Sequence, residues 1–102
     1  SERIVSSLMS EVDAAYAQLK GGDNESAVKT IDRAIERWLM LDGYTHIFIR
    51  HSEINSTTEA FFQFKSDIGS GDADAAEGSY GLLSETLRSI MTMEQISLGS
   101  IF

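Results

Sequence analysis

"GDNESA" (residues 22–27) returns 49 positions later as "GDADAA" (residues 71–76), and the reading of that pair decides the fold. Each copy joins a glycine, the residue that most readily ends a helix in the left-handed conformation, to an aspartate that can cap the helix after it. At the same offset Leu19 meets Ile68, Ala15 meets Phe64, Ile31 meets Tyr80, Ala34 meets Leu83 and Trp38 meets Leu87. The apolar pattern therefore repeats on both sides of the turn, which implies two similar helical hairpins. A hairpin cannot cover its own apolar face, so the economical solution is to stack the two as an antiparallel, up-down four-helix bundle. A tetratricopeptide-like array fits less well, because two hairpins lack the further repeats such arrays stack.

Working outward, Ile4, Val5, Leu8, Met9, Val12, Ala15, Tyr16 and Leu19 recur at steps of three and four, one face of a first helix over about 2–20. Asp23 or Asn24 caps a second, expected to run unbroken over 24–50 with Ala27, Ile31, Ala34, Ile35, Trp38 and Leu41 inward. Its outer face, Lys29, Asp32, Arg33, Glu36 and Arg37, alternates in sign as a solvated face does. "SEIN" and "STTE" both resemble helix starts, and the earlier one is preferred, giving a third helix over 52–68 that buries Ile54, Thr57 or Thr58, Phe61, Phe64 and Ile68. The fourth is expected over 72–93 with Ala76, Tyr80, Leu83, Leu87 and Ile90 inward. Gly78 and Gly81 weaken it by about 1 kcal/mol each against alanine, and close packing by a neighbouring helix is the expected reason.

Composition agrees with an all-α fold. The 102 residues make one domain, 42% hydrophobic with five phenylalanines, three tyrosines and a tryptophan, and contain no proline. Eight basic against sixteen acidic residues leave a net charge of −8, which disfavours nucleic acid or an anionic lipid surface as partner. With no cysteine, disulfides, thiolate metal sites and thiol catalysis are excluded. The opening "SERIVSS" has no basic and apolar run of signal-peptide or membrane-span length.

Searches for reaction chemistry find nothing that fixes a reaction, and the chain is expected not to be an enzyme. His46 and His51 stand about 140° apart on a helix, off the i, i+4 spacing of a metal pair, and neither ends a Glu-x-x-His motif. Their expected roles are structural: His46 beside Asp42 or Arg50, and His51, followed by Ser52 and Glu53, closing a turn by bonding free helix-end carbonyls. No serine sits in Gly-x-Ser-x-Gly, and "KGGD" and "GSGD" are interhelical turns rather than phosphate loops. Asp32 and Glu36 fall on the solvated face, where burial cannot tune a carboxyl for acid catalysis. Met40, Met91 and Met93 are expected to fill core gaps. No catalytic residue, metal or cofactor is expected.

Trp38, "HSEI" at residues 51–54, the spacing on to "FKSDIGSGD" at 64–72 and the ending "MEQISLGSIF" at 93–102 resemble one family, domain of unknown function 4363. The resemblance spans nearly the whole chain, with the N-terminal third least like the pattern and Gly99 where it more often has a polar residue. It implies a small bacterial helical protein carried outside the cytoplasm behind an N-terminal membrane anchor. It brings no catalytic residue with it.

The stretch "WLMLDGYTHIFIRH", residues 38–51, is where function is expected. A second helix running to residue 50 spans about 40 Å, against under about 30 Å for the first, so its apolar second half overhangs. The C-terminal tail, with Ile96, Leu98, Ile101 and Phe102, is expected to leave the fourth helix and fold back over part of 44–49 at that end. What remains, Trp38, Tyr44, Phe48, Ile101 and Phe102, is the expected docking or self-association surface, and His51 with Glu53 the expected turn motif. The expected function is a non-enzymatic protein-interaction module, with the membrane engaged only through the anchor. The alternative is a bundle that senses a small molecule between its helices, with Tyr80, His46 and Arg50 as polar fingers.

Overall fold

The computed structural model describes residues 2–41 and 51–101, with side chains over 4–41 and 54–96. These residues form an antiparallel four-helix bundle built from two hairpins: α1 (Glu2–Lys20) with α2 (Asn24–Met40), and α3 (His51–Ser70) with α4 (Ala73–Ile101). α1 packs on α2 and α4, and α3 packs on α2 and α4, which closes the square. The starts of α2 and α4 therefore share one pole with the ends of α1 and α3, and the ends of α2 and α4 share the other.

The two turns of the first pole repeat each other bond for bond. After Leu19 the chain turns on Gly22 at φ 86°, whose N–H donates to the Leu19 carbonyl at 2.9 Å while the Asp23 N–H reaches the Gln18 carbonyl at 2.9 Å. After Ile68 it turns on Gly71 at φ 74°, whose N–H donates to Ile68 at 3.1 Å while Asp72 reaches Asp67 at 3.2 Å. Left-handed backbone is cheap only for glycine, and this bond pattern occupies helix-end carbonyls that otherwise lack donors. Each aspartate then caps the next helix: Asp23 Oδ1 accepts from the Ser26 N–H at 3.1 Å, and Asp72 Oδ1 from the Ala75 N–H at 3.1 Å. Both bonds to Ser26, side chain first and backbone second, hold the Asp23 carboxyl below its ordinary value. Gly71 sits so near the other turn that a Cβ there would lie 3.4 Å from Asn24 Nδ2.

Burial follows the predicted stripes closely. Val5, Leu8, Val12, Ala15 and Leu19 of α1, Ala27, Ile31, Ala34, Ile35 and Trp38 of α2, Ile54, Phe61, Phe64 and Ile68 of α3, and Ala76, Leu83, Leu87 and Ile90 of α4 form one core. In the half of the bundle nearer the turns Tyr16 stacks on Tyr80, with ring centroids 4.2 Å apart and planes 14° from parallel, and Phe64 lies 6.4 and 6.1 Å from the two. Lys20 Nζ sits 4.6 Å above the Tyr16 ring. Polar bonds tie three of the seams: Thr30 Oγ1 donates to Gln18 Oε1 at 2.8 Å, Lys65 pairs with Asp32 at 2.7 Å, and the Tyr80 hydroxyl donates to Asp13 at 2.7 Å. Arg37 leaves the solvated face of α2 altogether to pair with Glu11 and donate to Ser7 Oγ at 3.0 Å on α1.

Three expectations are corrected. α2 ends at Met40, with Leu41 as its C-cap at φ −83°, ψ −8° and the Leu41 N–H turned back to the Trp38 carbonyl, so the unbroken helix over 24–50 is replaced by one of 17 residues. Residues 42–50 lie outside the described residues. The tail after Met93 does not leave its helix: α4 continues to Ile101 and, at 29 residues, is the longest described rod. Its backbone bonds go on being met by the helix itself, with nothing in Gln95–Ser100 of sufficient cost to stop it, since a single glycine at 99 weakens a helix without breaking it. Gly78 and Gly81 are not in close packing; a Cβ at either meets nothing within 4 Å.

Candidate functional site

Trp38 is the first residue to locate, and it is not at the edge of a surface. It is 2% exposed, its ring 5.9 Å from Phe61, and its indole Nε1 donates at 2.9 Å to Thr58 Oγ1, which itself donates to the Ile54 carbonyl at 2.9 Å. A buried indole needs a partner for its N–H, and Thr58 one turn along α3 supplies it. Trp38 thus pins α2 to α3 and forms the floor of their seam.

What is exposed there are its neighbours. Leu39 follows Trp38 and Phe62 follows Phe61, and they are 49% and 47% exposed on either side of the Trp38 contact with Phe61; Met40 is 82% exposed just beyond. Leu39 lies two turns along α2 from Asp32, and Phe62 lies close to Lys65 on α3, so both flank the seam that the Asp32 to Lys65 pair crosses. Next to Phe62 an open depression on α3 is lined by Thr58, Glu59, Gln63 and Ser66. An isolated exposed leucine is ordinary on a soluble protein, whereas apolar side chains gathered over one seam are not. Met40 was expected to fill a core gap; it stands in solvent because α2 has turned its apolar face through Trp38 and Leu41 instead.

Of the other residues singled out in the sequence, Tyr44, Phe48 and Phe102, and also His46 and Arg50, lie outside the described residues. Ile101 closes α4, and His51 and Glu53 open α3, but their side chains are outside the description. Tyr80 is not a finger in an apolar pocket. Its hydroxyl is committed to Asp13 across the α1 and α4 seam, and that bond, reinforced by partial burial, pushes the phenol above its ordinary value.

The residue that the sequence reading missed is Glu94. It is 2% exposed, on the core face of α4 one turn beyond Ile90, and among the described residues Oε1 has no hydrogen-bond partner. On α4 it follows Ile90, and among the described side chains no buried residue of that helix lies beyond it. A buried carboxyl oxygen without a donor forfeits the bonds it would make in water, so Oε1 is the least satisfied atom in the described core. The signal was present in the spacing: Leu83, Leu87, Ile90 and Glu94 follow one stripe, with an acid where the next apolar residue belongs.

Among the described residues there is no group of three histidine, aspartate, glutamate or cysteine side chains placed to hold a metal ion, and no described helix is long and apolar enough to cross a membrane. The model of a family described as a domain of unknown function, DUF4363, matches residues 2–101. No curated protein and no solved structure matches the chain. The chain belongs to the DUF4363 family.

Proposed function

We propose that this DUF4363 protein is a non-enzymatic interaction module, a small helical bundle that docks a second protein through the seam of α2 and α3 while a membrane anchor holds it outside the cytoplasm. The observation that carries the docking half is the exposure of Leu39 and Phe62 beside the buried contact between Trp38 and Phe61. Rigid support and exposed apolar area coincide there. The Trp38 to Thr58 bond and the Lys65 to Asp32 pair fix the two helices, so little ordering remains to be done when a partner covers the side chains between them. The location half is carried only by what the resemblance in sequence implies, and the anchor in this reading is none of the described helices, since none is long and apolar enough to cross a membrane.

The experiment is site-specific photocrosslinking in the full-length protein in its own cells. A benzophenone amino acid replaces Leu39 or Phe62 in turn, with Asp74 at the opposite pole as control. Discrete adducts at 39 and 62 and none at 74 are expected. Adducts at 74 as strong as those at 39, or none at either seam position, contradict the reading.

A further inference from the structure

On the outer face of α4 an exposed leucine, two opposite charges and two glycines fall together. Leu82 is 60% exposed, and with Glu77, Gly78, Gly81, Glu85 and Arg88 it lines one open depression. Nothing inside the bundle requires the glycines: each weakens the helix, and a Cβ at either meets nothing within 4 Å. Glu77 and Arg88 are exposed, and among the described residues neither has an ion-pair partner, although Arg37 and Lys65 are both drawn across seams to acids.

The spacing of the two charges says what covers this face. Eleven residues make about three turns, so Glu77 and Arg88 share one edge of α4, about 16 Å apart, with Leu82 close to the midpoint between them. A face with an acid at one end and a base at the other is its own complement when turned end for end. Laid antiparallel about a two-fold axis at that midpoint, each Glu77 meets the partner's Arg88, and the pair forms twice. Leu82 lies beside the axis and meets its own copy. Gly78 and Gly81 let two helix backbones cross closely, and Glu85 comes to lie opposite the partner's Gly78 and Gly81, which leave its stem room.

We propose that the outer face of α4 docks a second copy of this chain, in an antiparallel pair centred beside Leu82 with two Glu77 to Arg88 ion pairs at its edges. This pairing does not rest on the docking reading given above. α4 packs on α1 and α3 and stands diagonally from α2, so the seam of α2 and α3 stays open on both copies. Crossing helices diverge, and Asp74, more than two turns from the axis, lies outside the contact. About three turns of helix bury less than the roughly 1,200–2,000 Å² of a stable complex, so the pair is weak and forms at high protein concentration.

The test is sedimentation equilibrium of the 102-residue chain at low salt, from about 10 μM to about 1 mM. The wild type is expected to pass from monomer towards twice its mass. Glu77→Arg and Arg88→Glu each set like charges against one another at both edges, and each is expected to weaken pairing at least about tenfold. Glu77→Arg also reduces the net negative charge, which would favour general association, so weaker pairing in that variant is specific to the site. An equal mixture of the two variants restores both ion pairs in a mixed dimer and is expected to associate as the wild type does. The double variant, Glu77→Arg with Arg88→Glu, is expected to do so alone.

Recovery in the mixture cannot come from misfolded chains, so the variants also control for the fold. A wild type that stays monomeric to about 1 mM overturns the second copy as the occupant of this face. Single variants that pair as well as the wild type, or a mixture that associates no better than either variant alone, overturn the antiparallel arrangement and its two ion pairs.

Discussion

The two poles of the bundle are built to different standards. At the turn pole every device of helix ending and starting is used twice: left-handed Gly22 and Gly71, paired backbone bonds behind each, and Asp23 and Asp72 as caps. At the other pole a buried carboxylate oxygen lacks a donor and Met40 stands 82% exposed. Among the described residues one end is satisfied and the other is not. The difference teaches where the fold secures itself: at the turn pole local devices meet the backbone groups, whereas the described part of the other pole leaves one buried oxygen unmet.

The largest expected effect comes from the layer that holds the unsatisfied pole in place. Trp38→Ala removes the indole, its bond to Thr58 and the contact with Phe61, and should lower stability by about 3–5 kcal/mol in denaturant titration. Loss below about 1 kcal/mol would mean that Trp38 does not tie α2 to α3. Glu94→Met works in the opposite direction: replacing a buried acid that has one unpartnered oxygen by an apolar side chain of similar length should gain about 1–3 kcal/mol. A loss there would erase the contrast between the poles.

How much of this was legible in the sequence varies by residue. The repeated glycine and aspartate announced both turns, since a left-handed cap and an N-cap are local and depend on few other residues. The four core stripes were legible for the same reason, being set by helical period alone. The end of α4 was not, because Glu94 interrupts the apolar stripe and so resembles a helix terminus, while the backbone simply carries on to Ile101. In the sequence Trp38 belongs both to the inward stripe of the second helix and to one apolar run with Leu39 and Met40, and only packing against Phe61 separates floor from rim. For Gly78 and Gly81 the phase was available and misread: two residues beyond buried Ala76 a helix has turned about 200°, which puts Gly78 on the outer face.

At the turn pole smaller effects are expected. Gly71→Ala forces a side chain into left-handed backbone against Asn24 and should cost about 1–2 kcal/mol, and Asp72→Ala, which loses the cap to Ala75, about 1 kcal/mol. Gly78→Ala and Gly81→Ala meet open space on the outer face of α4 and should each gain up to about 1 kcal/mol. Costs at residues 71 and 72 beside gains at 78 and 81, read from thermal midpoints of the four variants, sharpen the distinction between required glycines and tolerated ones. The smallest effect is titration of Tyr80. Its folded value is raised above the unfolded 10.0, so its contribution is fully present below pH 10 and is lost as pH rises through the folded value. Tyr80→Phe should flatten that alkaline loss in a pH series of midpoints; an unchanged alkaline slope would mean that the bond to Asp13 does not stabilise the α1 and α4 seam.

The inequality of the poles is tested most directly by native-state hydrogen exchange. Amides of α4 near its start, residues 77–83, should be protected nearly to the level of global unfolding, while those at 91–96 exchange through a local opening of lower free energy, with the difference narrowed in Glu94→Met. Equal protection along α4 in the wild-type protein, or greater protection at 91–96 than at 77–83, would contradict the account.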